Sequence, residues 1–279
     1  MTTGQALQFL KNKLTPHLGD LALPQSEQIL QFILSCSRSE LYLNLSAELD
    51  KSSISQISAI LERSLTGEPL PYITGKAFFY SREFTVTPDV LIPRPDTETL
   101  IEAVLANQKQ KQCIFADIGT GSGILSCILT EHNTGWKAIA VDISLSALKV
   151  ARGNCRSGIY FICADLLSSF KAKPVLDFIV SNPPYISADE MKAIDSSVSG
   201  FEPHSALYGG TDGLDFYRKL ALSSRTFLKS EGRIYCEIGY NQELQVKEIF
   251  KDSGWSDILV LKDLSGNFRV IMATRPEKI

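Results

Sequence analysis

From Ala6 to about Thr66 the apolar residues recur at helical spacing, as in Ile29, Phe32 and Ile33 and again in Ile54, Ile57 and Leu61. Pro16, Pro24 and the turn Lys51-Ser52-Ser53 punctuate the pattern, which predicts a bundle of four or five short helices over residues 1–66. Between Gly67 and Glu98 aromatic and β-branched residues alternate among glycines and prolines, predicting a hairpin followed by an extended connection. From Thr99 the texture changes again. Short apolar runs at Cys113–Ile118, Ala138–Asp142, Tyr160–Ala164, Phe178–Ser181 and Arg233–Ile238 read as buried strands. Helical stretches near Ile124–Thr130, Leu145–Asn154, Leu214–Leu228 and Gln242–Lys251 separate them. Two last runs, Ile258–Leu261 and Phe268–Ala273, flank the turn-rich Asp263-Leu264-Ser265-Gly266-Asn267 and predict a tail hairpin with one antiparallel strand. The expected fold is α/β: a doubly wound, mostly parallel, seven-stranded Rossmann-like sheet over 99–279, with a small N-terminal helical-bundle domain and a linker or lid at 67–98.

Composition narrows the function classes. With 31 acidic and 28 basic residues the net charge is −3, a field that repels rather than attracts a phosphate backbone, so no DNA partner is expected. The six cysteines (Cys36, Cys113, Cys127, Cys155, Cys163 and Cys236) form no CxxC pair and have no histidine set at zinc-ligand spacing, so most read as core thiols and no metal is expected. The amino terminus lacks a basic start followed by an apolar stretch, and nowhere do about 18 apolar residues run together. A soluble, cytoplasmic protein without a membrane partner is expected. The helical bundle carries no titratable cluster and reads as a docking or packing module.

The segment Asp117-Ile118-Gly119-Thr120-Gly121-Ser122-Gly123 puts glycines where a strand passes into a helix, letting backbone approach a ligand without an intervening Cβ. Its G-x-G-x-G spacing differs from the dinucleotide fingerprint, and the preceding Asp117 favours a positively charged ligand end over a phosphate. Asp142 closes the next strand, where a carboxylate can accept both ribose hydroxyls, and Asp165 followed by Leu166 closes the third. Three acidic strand ends beside a glycine loop suit the amino-acid end, ribose and adenine of S-adenosylmethionine.

After the fourth strand comes Asn182-Pro183-Pro184-Tyr185. Two prolines hold Asn182 and Pro183 extended, so the Asn182 side-chain oxygen and the Pro183 carbonyl can accept both hydrogens of a planar NH₂ while Tyr185 packs on its face. An amide nitrogen is a poor nucleophile, but a sulfonium methyl is reactive enough that orientation rather than a strong base is required.

These motifs, together with Gly67-Glu68-Pro69, Leu91-Ile92-Pro93-Arg94-Pro95-Asp96-Thr97-Glu98, Phe201-Glu202-Pro203, Gly209-Gly210, Glu237-Ile238-Gly239 and Asp263…Gly266…Arg269, resemble class I S-adenosylmethionine-dependent methyltransferases of the HemK/PrmC type. Such enzymes methylate N5 of the glutamine in the Gly-Gly-Gln motif of peptide chain release factors. The resemblance covers nearly the whole chain. It implies S-adenosylmethionine contacts from Gly119, Thr120, Gly121, Ser122, Gly123, Asp142, Asp165 and Leu166, and acceptor contacts from Asn182, Pro183, Pro184 and Tyr185, with Asn182 shared by both sets. Family members often carry an aromatic residue where Leu166 stands, a departure that bears on cofactor affinity. Arg94 and Glu98 have the spacing for a latch on a lid over Pro93–Glu98, and His204 alone of the three histidines lies near the motifs.

Three alternatives share parts of this pattern. A ribosomal-protein glutamine methyltransferase presents the same acceptor; Arg94-Pro95-Asp96-Thr97-Glu98 favours the release-factor branch. An adenine-N6 DNA methyltransferase presents a similar planar amine, against which stand the acidic balance and the lack of a basic, aromatic-bearing segment. A sensor that binds S-adenosylmethionine without turnover would carry a spoiled tetrapeptide, and this one is intact.

Overall fold

A computed structural model describes residues 1–277, which divide into two compact units. One comprises Met1–Gly75 with Ser196–Phe201, the other Lys76–Asp195 with the chain from Glu202 onward.

The first unit is helical: α1 (Thr3–Leu18), α2 (Ala22–Leu34), α3 (Arg38–Leu43), α4 (Lys51–Leu65) and α5 (Leu70–Thr74). Its core joins Leu10, Leu14, Ile29, Leu30, Leu41 and Ile57. Reciprocal capping boxes, Thr2 with Gln5 and Ser37 with Glu40, satisfy the first amides of α1 and α3. Pro16 lies in the last turn of α1, and Pro24 lies in the first turn of α2, where its missing N–H has no intrahelical partner. The prolines therefore mark helix ends without breaking the bundle. The unit extends beyond the expected boundary at residue 66, because Leu70 and Ile73 of α5 pack on the same core. The 67–98 segment is accordingly divided between the two units and is not a body of its own.

The second unit opens with an antiparallel hairpin, β1 (Lys76–Phe79) and β2 (Arg82–Thr85). Its two-residue turn places Tyr80 at φ 50° and Ser81 at φ 58°, a left-handed pair made here without glycine. The chain then passes through a 3₁₀ turn at Pro95–Thr97 into α6 (Glu98–Asn107), a helix the apolar pattern did not reveal. Next come β3 (Cys113–Ile118), α7 (Ile124–His132), β4 (Trp136–Asp142), α8 (Leu145–Asn154), β5 (Ile159–Cys163) and β6 (Leu176–Ser181). Short helices α9 (Ala188–Ala193) and α11 (His204–Leu207) follow, separated in the chain by α10 (Ser196–Ser199), which belongs to the first unit; then come α12 (Asp215–Ser223), β7 (Leu228–Glu237), α13 (Glu243–Asp252), β8 (Ser256–Lys262) and β9 (Phe268–Thr274).

The seven strands are ordered β5-β4-β3-β6-β7-β9-β8, and β9 alone runs against its neighbours, pairing antiparallel with both β7 and β8. The order reverses between β3 and β6, which makes the C-terminal ends of these two strands the natural ligand-binding crevice. Separate cores cover the two faces of the sheet. One gathers α6, α7 and the hairpin residues Phe79 and Phe84; the other gathers α12 and α13 with Ile179, Ile234 and Ile271.

At the centre of the first core Phe115 and Phe178, on adjacent strands, stack with ring centroids 4.6 Å apart while Trp136 meets both edge-on. The Phe178→Ala variant should lose about 3–5 kcal/mol of unfolding free energy in urea titrations, since a rigid sheet cannot close the cavity; a loss below about 1 kcal/mol would contradict this packing.

Candidate active site

The loop from Gly119 to Gly123 turns sharply because Gly119, Gly121 and Gly123 all adopt left-handed φ, at 72°, 53° and 83°. The glycines differ in their surroundings. Nothing lies within 4 Å of a Cβ added at Gly121, which leaves the backbone open to a ligand, whereas a Cβ at Gly123 would meet Cys155 Sγ at 2.9 Å and Ala151 Cβ at 3.0 Å. Gly123 thus serves the packing of α7 against the end of α8. Cys127 and Cys155 are joined by a disulfide at this junction, so the expectation of core thiols holds for Cys113 and Cys236 but not for this pair, whose 28-residue separation hid it. Asn154 completes the junction: its Nδ2 donates to the carbonyls of Ser122 and Thr85, and its Oδ1 accepts from Thr85 N–H.

Asp117 lies beneath the loop. Its Oδ2 accepts from Thr120 Oγ1 at 2.7 Å, from Ser126 Oγ at 2.7 Å and from Ser126 N at 3.1 Å. The last of these caps the N-terminus of α7, whose own cap residue, Gly123, has no side chain to do so. Oδ1 has no hydrogen-bond partner and the group is fully buried. Burial pushes the carboxyl up to about 6, with Asp142 adding to the rise and the Thr120 and Ser126 hydrogen bonds opposing it. Asp142, by contrast, faces the cavity and orders its rim: Oδ2 accepts from Gly121 N and Oδ1 from Ser144 N, both at 2.9 Å.

A cavity of about 410 Å³ opens over the ends of β3, β4 and β6, lined entirely by residues of the second unit. Gly119, Thr120, Gly121, Ser122, Asp142, Asp165, Leu166, Asn182 and Pro184 reach it; Asp117, Gly123, Pro183 and Tyr185 do not line it. Its volume lies in the range of small-molecule sites. Open glycine backbone, a carboxylate at the β4 end and an apolar wall that includes Ile118, Leu125, Val141 and Ile143 fit S-adenosylmethionine. Leu166 holds φ 49°, a costly conformation for a branched side chain, and packs against the core of α12 and α13.

The tetrapeptide Asn182-Pro183-Pro184-Tyr185 starts beside this loop because Ile118 of β3 pairs with Ser181 of β6, and Ser181 Oγ donates to the Ile118 carbonyl at 2.7 Å. Asn182 Nδ2 donates to Thr97 Oγ1 at 3.1 Å. Tyr185 packs against the core rather than the cavity, and burial raises its phenol well above the usual range. Its carbonyl accepts from Gln242 Nε2 at 2.9 Å, and the 209–213 loop closes on the same backbone: a Cβ at Gly213 would stand 2.4 Å from the Tyr185 carbonyl oxygen. Arg94 does not latch onto Glu98. It pairs with the buried Glu202, and Glu98 instead accepts from Tyr80 N–H, because Glu202 lies opposite Arg94 while Glu98 has already turned into α6. Thr97, Glu202, Glu237 and Gln242 thus surround the site without having been assigned to it. All but Gln242 fall in stretches that carry the family resemblance, the one available signal. His204 lines the cavity and its ring stands 5.1 Å from that of Tyr208. Among the described residues no group of three His, Cys, Asp or Glu side chains is placed to hold a metal ion, and no helix is long and apolar enough to cross a membrane.

Comparison with known proteins gives a consistent picture. The family described as the PrmC N-terminal domain matches residues 5–75 and the methyltransferase small domain matches residues 95–198. The release factor glutamine methyltransferase of Koribacter versatilis is 39% identical over 255 residues, covering 90% of this chain and 90% of its own length. That of Bacillus subtilis is 37% identical over 258 residues, covering 89% and 90%. Among solved structures, a methyltransferase from Pyrococcus furiosus matches with a TM-score of 0.53, covering 80% of this chain and 98% of that one at 17% identity, a likeness of fold.

The raised Asp117 carboxyl makes a signed prediction. A carboxyl at about 6 in the fold, against 3.8 when exposed, stabilises the fold fully below about pH 4, and this contribution is lost as pH rises through 6. Between pH 4.5 and 7.5 wild type should therefore lose about 2 kcal/mol of stability relative to Asp117→Asn in denaturant titrations. Parallel pH profiles for the two proteins would contradict the burial of an ionisable group here.

Proposed function

The chain belongs to the release factor glutamine methyltransferase family, and we propose that it moves the methyl group of S-adenosylmethionine to N5 of the glutamine in the Gly-Gly-Gln motif of peptide chain release factors. The observation that carries this reading is the placement of Asn182 at the end of β6, beside the glycine loop, with its NH₂ committed to Thr97. With Nδ2 turned to Thr97, the side chain has its oxygen to offer, and an acceptor is what a planar substrate NH₂ requires.

As members of a class I methyltransferase family, such proteins use S-adenosylmethionine, whose sulfonium carries an electrophilic methyl group. In our reading the loop Gly119–Gly123 holds the amino-acid end, Asp142 the ribose hydroxyls, and Asp165 with Leu166 the adenine. Asp117 acts from beneath, by bracing Thr120 and Ser126. Asn182 and the Pro183 carbonyl accept the two hydrogens of the glutamine amide, which fixes its nitrogen in line for attack and stabilises the charge that develops there. Pro184 walls the acceptor channel. Tyr185, held through its carbonyl by Gln242, sets the exit of the tetrapeptide. The relatives named above favour a release factor over a ribosomal protein or DNA as acceptor, and we assign its docking to the helical unit.

Truncating the acceptor contact tests this reading. Asn182→Ala should lower kcat for release-factor methylation by about 10²–10³, while calorimetry shows S-adenosylmethionine bound with near wild-type affinity. Turnover close to wild type would remove Asn182 from the mechanism.

A further inference from the structure

The turn that carries Thr97 is gripped on both sides by arginine–carboxylate pairs made with distant parts of the chain. Pro95–Thr97 is one 3₁₀ turn, with Thr97 N–H bonded to the Arg94 carbonyl at 3.0 Å. A single turn lacks the cooperative bonding that makes a longer helix rigid, and Pro95 removes one of its donors. Its last residue is nevertheless fully buried, and Asn182 Nδ2 donates to Thr97 Oγ1 at 3.1 Å. Contacts from outside the turn have to fix its place.

On the side of residue 94, Arg94 pairs with the buried Glu202, whose other oxygen accepts from Ile92 N–H at 3.4 Å. On the side of residue 96 the partner is Arg269 of β9, whose Nη2 lies 2.9 Å from Asp96 Oδ2. This guanidinium is itself held. Arg269 is buried, and its Nε and Nη2 each lie 3.2 Å from Asp263 Oδ2. Asp263 is fixed by the turn it opens between β8 and β9, its Oδ1 accepting from Ser265 N and Asn267 N, both at 2.9 Å. The Arg269 carbonyl accepts from Ile238 N–H at 2.8 Å, which ties the same residue to the exit of β7.

We propose that Arg269 is a positioning residue for the methyl-accepting step: held by Asp263, it anchors Asp96 and so sets Thr97 where its hydroxyl oxygen receives the Asn182 amide. The inference rests on the glutamine-methylating reading of the site given above. Every link is a contact on one side chain or one turn: Asp263 to Arg269, Arg269 to Asp96, Asp96 through the 95–97 backbone to Thr97, and Thr97 to Asn182. Thr97 and Asn182 line the cavity, whereas Asp96, Asp263 and Arg269 do not, so a change at these three reaches the reaction only through the turn. The Asp96 side chain is 49% exposed, and an ion pair so open to water adds little to the stability of a fold. What it supplies is a fixed position for the turn.

Kinetics at saturating release factor and S-adenosylmethionine, together with water exchange of the Asn182 side-chain NH₂ followed by ¹⁵N NMR, test the anchor. Asp96→Ala, at a half-exposed position where truncation leaves the fold intact, should lower kcat by about 5- to 20-fold. The dissociation constant for S-adenosylmethionine should stay within about twofold, since no residue of the cavity is altered. In a Thr97→Val background, where the link to Asn182 is already cut, adding Asp96→Ala should lower kcat by less than about twofold more; a merely structural role would give the same factor in both backgrounds. Arg269→Lys, which keeps a cation within reach of Asp96, should retain kcat to within about threefold, and Arg269→Gln should match Asp96→Ala. Exchange of the Asn182 NH₂ should quicken by about tenfold in Asp96→Ala. Wild-type kcat in Asp96→Ala, equal factors in the two backgrounds, or unchanged amide exchange would overturn the anchor, and because Asp96 is half exposed none of these depends on truncating the buried arginine. If wild type itself failed to methylate the release factor, the acceptor assignment would fall, and the amide exchange would still decide the anchor.

Discussion

The register between β3 and β6 is the constraint on which the site depends. Pairing Ile118 with Ser181 starts the glycine loop and the tetrapeptide Asn182-Pro183-Pro184-Tyr185 at the same height on neighbouring strands, roughly 5 Å apart. The Ser181 hydroxyl ties the two strand ends directly. A slip by one residue in either strand would turn its buried face outward. Stacking of Phe115 on Phe178 and the edge contacts of Trp136 hold this register from within the sheet. The relative placement of the two segments is thus fixed by strand pairing and core packing before any loop contributes.

Around that frame, buried carboxyls work at one remove from the ligand. Asp117 braces the loop through Thr120 and Ser126, and Glu202 anchors the 93–97 connection through Arg94 and through Ile92 N–H. Each gives up the hydration of a charge, a cost that only specific hydrogen bonds offset. The site they serve needs no strong base, because in-line orientation of a weak nucleophile against a reactive methyl is the main requirement. Preorganisation is what such buried carboxyls supply.

Much of this was legible in the sequence, for physical reasons. Strands buried on both faces appear as continuous apolar runs, so β3 coincides with its expected bounds at Cys113–Ile118, and β4, β5, β6, β8 and β9 were found with errors of one or two residues at their ends, whereas β7 starts at Leu228, ahead of its expected start at Arg233, because the polar stretch Lys229-Ser230-Glu231-Gly232 hides its first half. The glycine loop was legible because only glycine takes its left-handed turns cheaply. What was hidden is non-local. Arg94 finds Glu202 across 108 residues, Thr97 finds Asn182 across 85, and no local pattern encodes either pairing. The sequence places Asp117 at a strand end but does not say that its side chain turns under the loop. The helices α9, α10 and α11 escaped because they span only four to six residues, too few to display a period. The helical unit overran its expected end because α5 is a single turn held by tertiary packing rather than by an amphipathic repeat.

The central claim is that this site accepts a side-chain amide nitrogen, and the acceptor atom can be read directly. The measurement is transfer of isotopically labelled methyl from S-adenosylmethionine to a purified release factor, followed by mass-spectrometric location of the label, with a Gly-Gly-Glu variant in parallel. Label is expected on the glutamine of wild-type factor, with a loss of about 10⁴-fold or more in the variant, since a site built to accept from NH₂ rejects a carboxylate. Comparable labelling of the Gly-Gly-Glu form, or label elsewhere in the factor, would contradict it.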